Sequence, residues 1–252
     1  MAISVDTVYK TVLLILNKEQ RGYMTPDEFN KTATQVQREI FEKYFEDLNQ
    51  QVRIPQTDMD YSDRVAVTDE KIAEFKREAV ATSTAANIFT LPTDLYRLGS
   101  VTFEPANKLP VELQRIGRAE FYNIRKSPLT APSTSYPIYL YEDNQLTVYP
   151  TSITGKVKVQ YVKKPSDIIW AYFIDDAVGG TGAYYWDSSV SIPVGASGPY
   201  PATGSVNFEL HNSEQTEVIL NILMYAGVII RNPQVIQAAA AKVQQDEVNE
   251  KS

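Results

Sequence analysis

Leu91-Pro92-Thr93-Asp94-Leu95-Tyr96-Arg97-Leu98 opens a stretch that closes on Tyr161-Val162-Lys163-Lys164-Pro165, and what lies between them decides the fold. Apolar and polar residues alternate there in short runs. Tyr139 and Tyr141 alternate before Glu142-Asp143-Asn144, and Leu146 and Val148 after it, which is the pattern of a β-hairpin. Thr154-Gly155 gives the next turn, and Val157, Val159 and Tyr161 then share one face of a strand. The spacing predicts strands near 78–83, 87–91, 97–104, 108–114, 137–141, 145–149 and 156–163, and one short helix at 117–126 anchored by Phe121 and Tyr122.

Upstream, the sequence reads as a helical hairpin. Val5, Val8, Val12, Ile15 and Leu16 fall at helical spacing between Ser4 and Lys18. A second helix begins at Thr25, which caps it. Pro26 takes the first helical position and Glu28 closes a capping box. Its apolar face carries Phe29, Val36, Ile40, Phe41, Tyr44, Phe45 and Leu48. Residues 52–68 are polar, with Pro55 and three aspartates, and read as a loop. Residues 69–77 read as a helical turn or two, or as the lead into a strand.

Downstream, residues 174–206 collect more than half of the glycines and the cluster Tyr184-Tyr185-Trp186, with no Lys or Arg. They read as an extended arm or long hairpin with strands at 183–186 and 190–194. Loops of this length in a compact domain usually have a task or are disordered, and the aromatic residues argue against plain disorder. Two helices close the chain. The first, 213–230, is capped by Asn212 or Ser213 and is apolar nearly all round, so it needs burial on several sides. The second, 232–248, has Asn232 as cap, Pro233 at its first position and the run Ala238-Ala239-Ala240-Ala241. The expected class is α+β. The expected domains are a hairpin at 1–50 that belongs to one helical domain with 208–250, a β module at 78–173, and an arm at 174–207.

Composition narrows the function classes. The 252 residues are 43% hydrophobic and 22% charged, ordinary for a globular chain. No run of apolar residues reaches membrane-spanning length. The start lacks the basic region and cleavage site of a signal peptide. Cysteine is absent, which removes disulfides, thiol nucleophiles and thiolate metal sites and fits assembly in a reducing cytoplasm. Residues 1–164 hold 21 acids and 21 bases, whereas 165–252 hold 10 acids against 3 bases, so the last third carries the whole net charge of −7. Pro165 to Ile230 contains no Lys or Arg at all, and such a segment repels a phosphate backbone.

Candidate chemistry is sparse, and no catalytic residue, metal site or cofactor is expected. His211 lacks a nucleophile motif and reads as a cap-adjacent or exposed residue. Asp58, Asp60 and Asp63 lack the glycine and glutamate of a calcium loop, whose twelfth position here is Asp69. Asp175-Asp176 is an adjacent pair without the separation that acid/base work requires. Val178-Gly179-Gly180-Thr181-Gly182-Ala183 lacks the Lys-Ser/Thr ending of a phosphate loop. The aromatic set Tyr172, Phe173, Tyr184, Tyr185, Trp186 and Tyr200 reads as a subunit contact, because aromatics without charge are typical of interface cores. A ligand-stacking platform and intrachain packing remain open beside it.

The order of these phrases resembles a known group. The hairpin leads to the Leu-Pro-x-Asp-x-Tyr-Arg phrase, then to Gly117-Arg118-Ala119-Glu120-Phe121-Tyr122, Pro137-Ile138-Tyr139-Leu140, Val148-Tyr149-Pro150, the Val159–Pro165 strand and finally Ala226-Gly227-Val228-Ile229-Ile230-Arg231-Asn232-Pro233. Over residues 5–235 this resembles the virion neck proteins of short-tailed bacteriophages: head-to-tail adaptors and tail-tube ring proteins, most closely the ring proteins of crAss-like phages. The arm at 174–206 has no counterpart in the resemblance. The resemblance implies a non-enzymatic structural protein of the virion neck, assembled in the host cytoplasm. It implies closed rings, usually twelvefold, beneath the portal protein, with adjacent ring or tail proteins as partners and genomic DNA passing through without specific binding. On that reading the subunit or partner interface comprises Tyr172, Phe173, Tyr184, Tyr185, Trp186, Tyr200, Ile229 and Ile230, and Asp167, Asp175, Asp176 and Asp187 form an acidic channel or surface. The alternative is a carbohydrate-binding or glycan-degrading tail component that uses the aromatic arm and the scattered carboxylates.

Overall fold

The Thr25 capping box forms as its sequence requires. In the computed structural model the Thr25 N–H donates to Glu28 Oε2 at 2.9 Å, and the Glu28 N–H returns to Thr25 Oγ1 at 3.4 Å. The described residues are 3–18, 23–51, 64–105, 109–176, 182–189, 192, 194–229, 237, 241, 242, 244 and 245. The fold is α+β, with helices toward both ends of the chain and antiparallel strands between them. It divides into two compact units, Met1–Glu74 with Pro165–Ser252, and Phe75–Lys164. The second unit closes at Lys164, earlier than the boundary at 173 drawn from sequence.

The helical unit starts with α1 (Val5–Lys18) and α2 (Pro26–Gln51). Val5, Val8, Val12 and Leu16 on α1 and Phe29, Val36 and Ile40 on α2 are buried, as their spacing demands. The rings of Tyr9 and Phe29 meet at 4.8 Å. The loop expected over 52–68 is corrected at its C-terminal end, where α3 (Arg64–Ala73) is helical. Thr68 and Ile72, one turn apart, are its buried pair. The rest of that expected loop, Asp58, Asp60 and Asp63 included, lies outside the described residues.

The second unit is a β module with two sheets. Its elements are β1 (Lys76–Val80), β2 (Thr82–Ala85), β3 (Ile88–Thr90), β4 (Leu95–Phe103), β5 (Val111–Glu112), β6 (Gln114–Arg115), α4 (Arg118–Lys126), β7 (Ile138–Glu142), β8 (Gln145–Tyr149) and β9 (Val157–Lys163). One sheet has the order β1-β9-β4-β5, the other β2-β3-β8-β7-β6. All pairs are antiparallel except β6 with β7. Asp143 and Asn144, with φ of 48° and 54°, make the two-residue turn between β7 and β8, where Asp and Asn tolerate the left-handed region. Phe89, Leu146 and Val148 from one sheet and Val101, Val157 and Val159 from the other are fully buried in a shared core.

Two of the expected strands turn out to change sheet midway. The strand expected at 78–83 is β1 and β2 joined at buried Ala81, whose N–H donates to Val157 O at 2.9 Å. The strand expected at 108–114 is β5 and β6 joined at buried Leu113, whose N–H donates to Val101 O at 2.8 Å. Strands that bend from one sheet into the other make the corners of such sandwiches. Because β1, β2, β5 and β6 are the edge strands, the two sheets are stitched together at both edges.

After Pro165 the chain returns to the helical unit. It forms β10 (Tyr172–Ile174), β11 (Tyr184–Trp186), β12 (Ser197–Tyr200), a 3-10 turn at Asn212–Glu214 and α5 (Gln215–Ile229). The strand expected at 183–186 is present as β11. Of that expected at 190–194, residues 190, 191 and 193 lie outside the described residues and Val194 sits in a turn, so the third strand begins at Ser197 instead. Helix α5 packs on both α1 and α2, with Val218, Ile222 and Ala226 buried, which answers its apolar surface. Of the helix expected at 232–248 only Gln237, Ala241, Lys242, Gln244 and Gln245 are described, and they are helical. Among the described residues no helix is long and apolar enough to cross a membrane.

Candidate functional site

The aromatic residues singled out from sequence converge on one three-stranded antiparallel sheet, in the order β11-β10-β12. Tyr172 pairs with Trp186 and Tyr200, and Ile174 with Tyr184 and Ser197. Side chains two apart share a strand face, so Tyr172, Tyr184, Trp186 and Tyr200 lie on one face, while Phe173 and its partner Tyr185 lie on the other. Gly198 allows a close strand approach. Its φ is +145°, and a Cβ there would stand 2.8 Å from Tyr172 O.

The rings form a graded series from core to solvent. Phe29 touches Tyr9, Tyr9 meets Trp170 at 4.3 Å, and Trp170 stacks on Tyr172 at 5.9 Å. Tyr172 then takes Tyr184 edge-on at 4.9 Å and Tyr200 at 6.1 Å. Phe29, Tyr9 and Trp170 are buried, Tyr172 is half-buried, and Tyr184 and Tyr200 are 39% and 46% exposed. The Lys10 ammonium sits 6.0 Å over the Trp186 ring. Burial holds the Tyr9 hydroxyl protonated well beyond the usual tyrosine range.

Sequence reasoning missed what holds the sheet in place. Trp170 donates through Nε1 to the buried carboxylate of Asp6 at 3.1 Å. Its N–H donates to Asn30 Oδ1 at 2.7 Å, and Asn30 Nδ2 donates back to Trp170 O at 3.4 Å. The Ile168 N–H donates to Thr34 Oγ1 at 3.0 Å, and Gln37 Nε2 donates to Ser166 O at 2.8 Å. Asn30, Thr34 and Gln37 thus form a polar stripe at i, i+4 and i+7 along α2, and it satisfies the backbone of the extended segment before β10. That spacing, running beside the apolar face of α2, was the available signal. A second fastening centres on Ser205. Its Oγ accepts from the Ala171 N–H at 3.0 Å and from Trp186 Nε1 at 2.9 Å, and donates to Asp187 Oδ1 at 2.6 Å.

The four aspartates expected to form an acidic surface are all engaged within the chain. Asp167 pairs with Arg38 at 2.6 Å and remains exposed. Asp175 is buried, and its backbone bonds to Ala183 O and Gly182 N–H. Asp176 accepts from the Ser197 N–H at 3.2 Å and from Ser197 Oγ at 2.6 Å. Asp187 also accepts from the Ser205 N–H at 2.8 Å. Ile229 is the last residue of α5, and Ile230 and residues 178–181 lie outside the described residues. His211 caps the 3-10 turn, its Nδ1 accepting from the Ser213 N–H at 3.3 Å. Among the described residues no group of three or more metal-binding side chains converges.

Two cross-helix ion pairs lie at the base of α5. Lys71 Nζ stands 2.7 Å from Glu214 Oε1, and Lys43 Nζ 3.1 Å from Glu217 Oε1. Burial pushes the Glu217 carboxyl up to about 6, and the neighbouring Glu214 adds to this against the pull of Lys43. Burial also works upward on Glu214, but the hydrogen bond and charge of Lys71 hold its carboxyl below the usual range. Because its folded value is raised, the contribution of Glu217 is full below its ordinary value of 4.5 and is lost as pH rises through 6. That of Glu214 is present above 4.5 and lost as pH falls. The Glu217→Gln variant, which removes the first titration, therefore gains about 1 kcal/mol on the wild type between pH ~4.5 and ~7.5, a figure reduced for partial solvent screening. Urea unfolding at the two pH values measures it, and a pH-independent difference would contradict it.

Comparison with known proteins gives one finding. The family model described as SU10 adaptor protein matches residues 31–177, more than half of the chain. A search of curated proteins finds no match.

Proposed function

The chain belongs to the SU10 adaptor protein family, and from that membership we propose that it forms a closed ring in the neck of a short-tailed bacteriophage. The coarser role comes with the family: a structural head-to-tail adaptor of the virion, associated with other head and tail proteins. The finer reading is a ring of about twelve copies beneath the portal protein, closed by a heterologous contact in which one patch of each copy meets a different patch of the next. Its likeness to the ring proteins of crAss-like phages belongs to this finer reading. Genomic DNA passes through without specific binding, and Asp167, Asp176 and Asp187 contribute to an acidic surface past which it slides, whereas Asp175 is buried and takes no part in it.

The observation that carries the ring reading is the aromatic series, which is anchored in the core and ends in exposed Tyr184 and Tyr200 in a segment without Lys or Arg. Such residues are enriched where protein surfaces meet. Mass photometry and negative-stain images of the purified chain, alone and mixed with its portal protein, test the reading. Closed rings are expected in at least the mixture. A monomer in both samples, or a monomer that binds oligosaccharide through Tyr184 and Tyr200, would overturn it.

A further inference from the structure

The two units carry opposite charge. Phe75–Lys164 holds 12 Lys and Arg against 7 Asp and Glu, a net +5, whereas the rest of the chain holds 12 bases against 24 acids, a net −12. The β module also exposes large apolar side chains on and just after helix α4. Helix α4 buries only Phe121, which packs on Tyr149 at 4.6 Å over Ile116, Ile138 and Leu140. The Arg125 guanidinium lies over both rings, at 5.4 and 5.6 Å, and Lys126 beside it is exposed. The loop that follows is fastened to the helix: Thr130 Oγ1 donates to Ile124 O at 3.1 Å, and the Ala131 N–H to Ser127 O at 3.0 Å. Even so, Leu129 is 96% exposed, Tyr136 81% and Tyr122 57%. Ordered apolar side chains held out into water mark a contact surface.

We infer that this face, formed by α4 and residues 127–136, docks on the acidic aromatic sheet β10–β12 of a second copy of the chain. The inference rests on the ring reading and names its two patches. Charge complementarity selects the partner, since the face belongs to the +5 unit and the sheet to a segment, Pro165–Ile229, with seven acids and no Lys or Arg. The apolar residues fit as well. Leu129 has nothing to offer a phosphate backbone, which argues against DNA as the occupant, but it fits against exposed Tyr184 and Tyr200. The two patches differ, so the contact repeats head to tail as ring closure requires.

The absence of cysteine from the chain makes a clean test. Leu129→Cys and Tyr184→Cys are both at exposed side chains. The double variant, assembled with its portal and treated with a short bismaleimide, is expected to yield a ladder of cross-linked multimers. A mixture of the two single variants is expected to yield dimers only, and neither single variant alone should cross-link. Dimers from Leu129→Cys alone would show a like-with-like contact and overturn the inference. Rings that form normally without any 129–184 cross-link would also overturn it, while leaving the ring reading intact; no rings at all would overturn both. As a second arm, Lys126→Glu with Leu129→Asp is expected to weaken self-association about tenfold or more. Unchanged assembly together with lost DNA retention would instead assign the face to nucleic acid.

Discussion

Replacing Ser205 by alanine is expected to destabilise the helical unit by about 2–4 kcal/mol. The hydroxyl serves three groups at once: it accepts from the Ala171 N–H and Trp186 Nε1 and donates to Asp187. Removing it strands two donors and weakens one carboxylate, and each stranded buried donor costs about 1–3 kcal/mol. Partial exposure of Ser205 lets water recover some of this. The loss should appear as a lower urea midpoint, faster hydrogen exchange at Ala171 and a shifted Trp186 indole proton resonance. Normal exchange at Ala171 in the variant would show that the hydroxyl does not hold the sheet. The substitution should also weaken ring formation, because β11 carries Tyr184 and is held to the core side through this same contact.

Phe89→Ala is expected to cost the β module about 3–5 kcal/mol, the range for truncating a fully enclosed aromatic side chain. Phe89 is 0% exposed and pairs with Leu146, also 0% exposed, in the core between the two sheets. Phe89→Leu, which leaves less empty space, should recover a substantial part. The check is chemical denaturation followed through amides of β3 and β8. A cost below about 1 kcal/mol would mean the sheets close over the gap.

How far the sequence was legible depended on whether the deciding contacts were local. The Thr25–Glu28 box, the Asp143-Asn144 turn and the α4 anchor Phe121 were readable because each is set within a few residues. Helix α3 was legible only in its second half, where residues 69–73 read as a helical turn, since its buried stripe amounts to Thr68 and Ile72 among charged neighbours. The crossing at Leu113 leaves no mark, because Val111-Glu112-Leu113-Gln114 alternates as an unbroken strand would, and the one at Ala81 lies in the apolar run Ala79-Val80-Ala81, which does not signal a change of sheet. At the site, the aromatic residues were visible but their anchors were not. Asn30, Thr34 and Gln37 look like ordinary polar positions until the segment 166–170 is laid beside them. The charge split was hidden for a similar reason. Division at residue 164 gives a neutral first part because residues 1–74, net −5, offset the +5 module.

The double crossing of the β module has a mechanical consequence. A sandwich with free edges parts when side-chain contacts between its layers yield, and it can be peeled from either side. Here the layers are continuous through Ala81 at one side and Leu113 at the other. A force that pulls the layers apart is therefore taken up along the polypeptide itself. The module should transmit tension and shear as a stiff block, with failure beginning elsewhere in the chain.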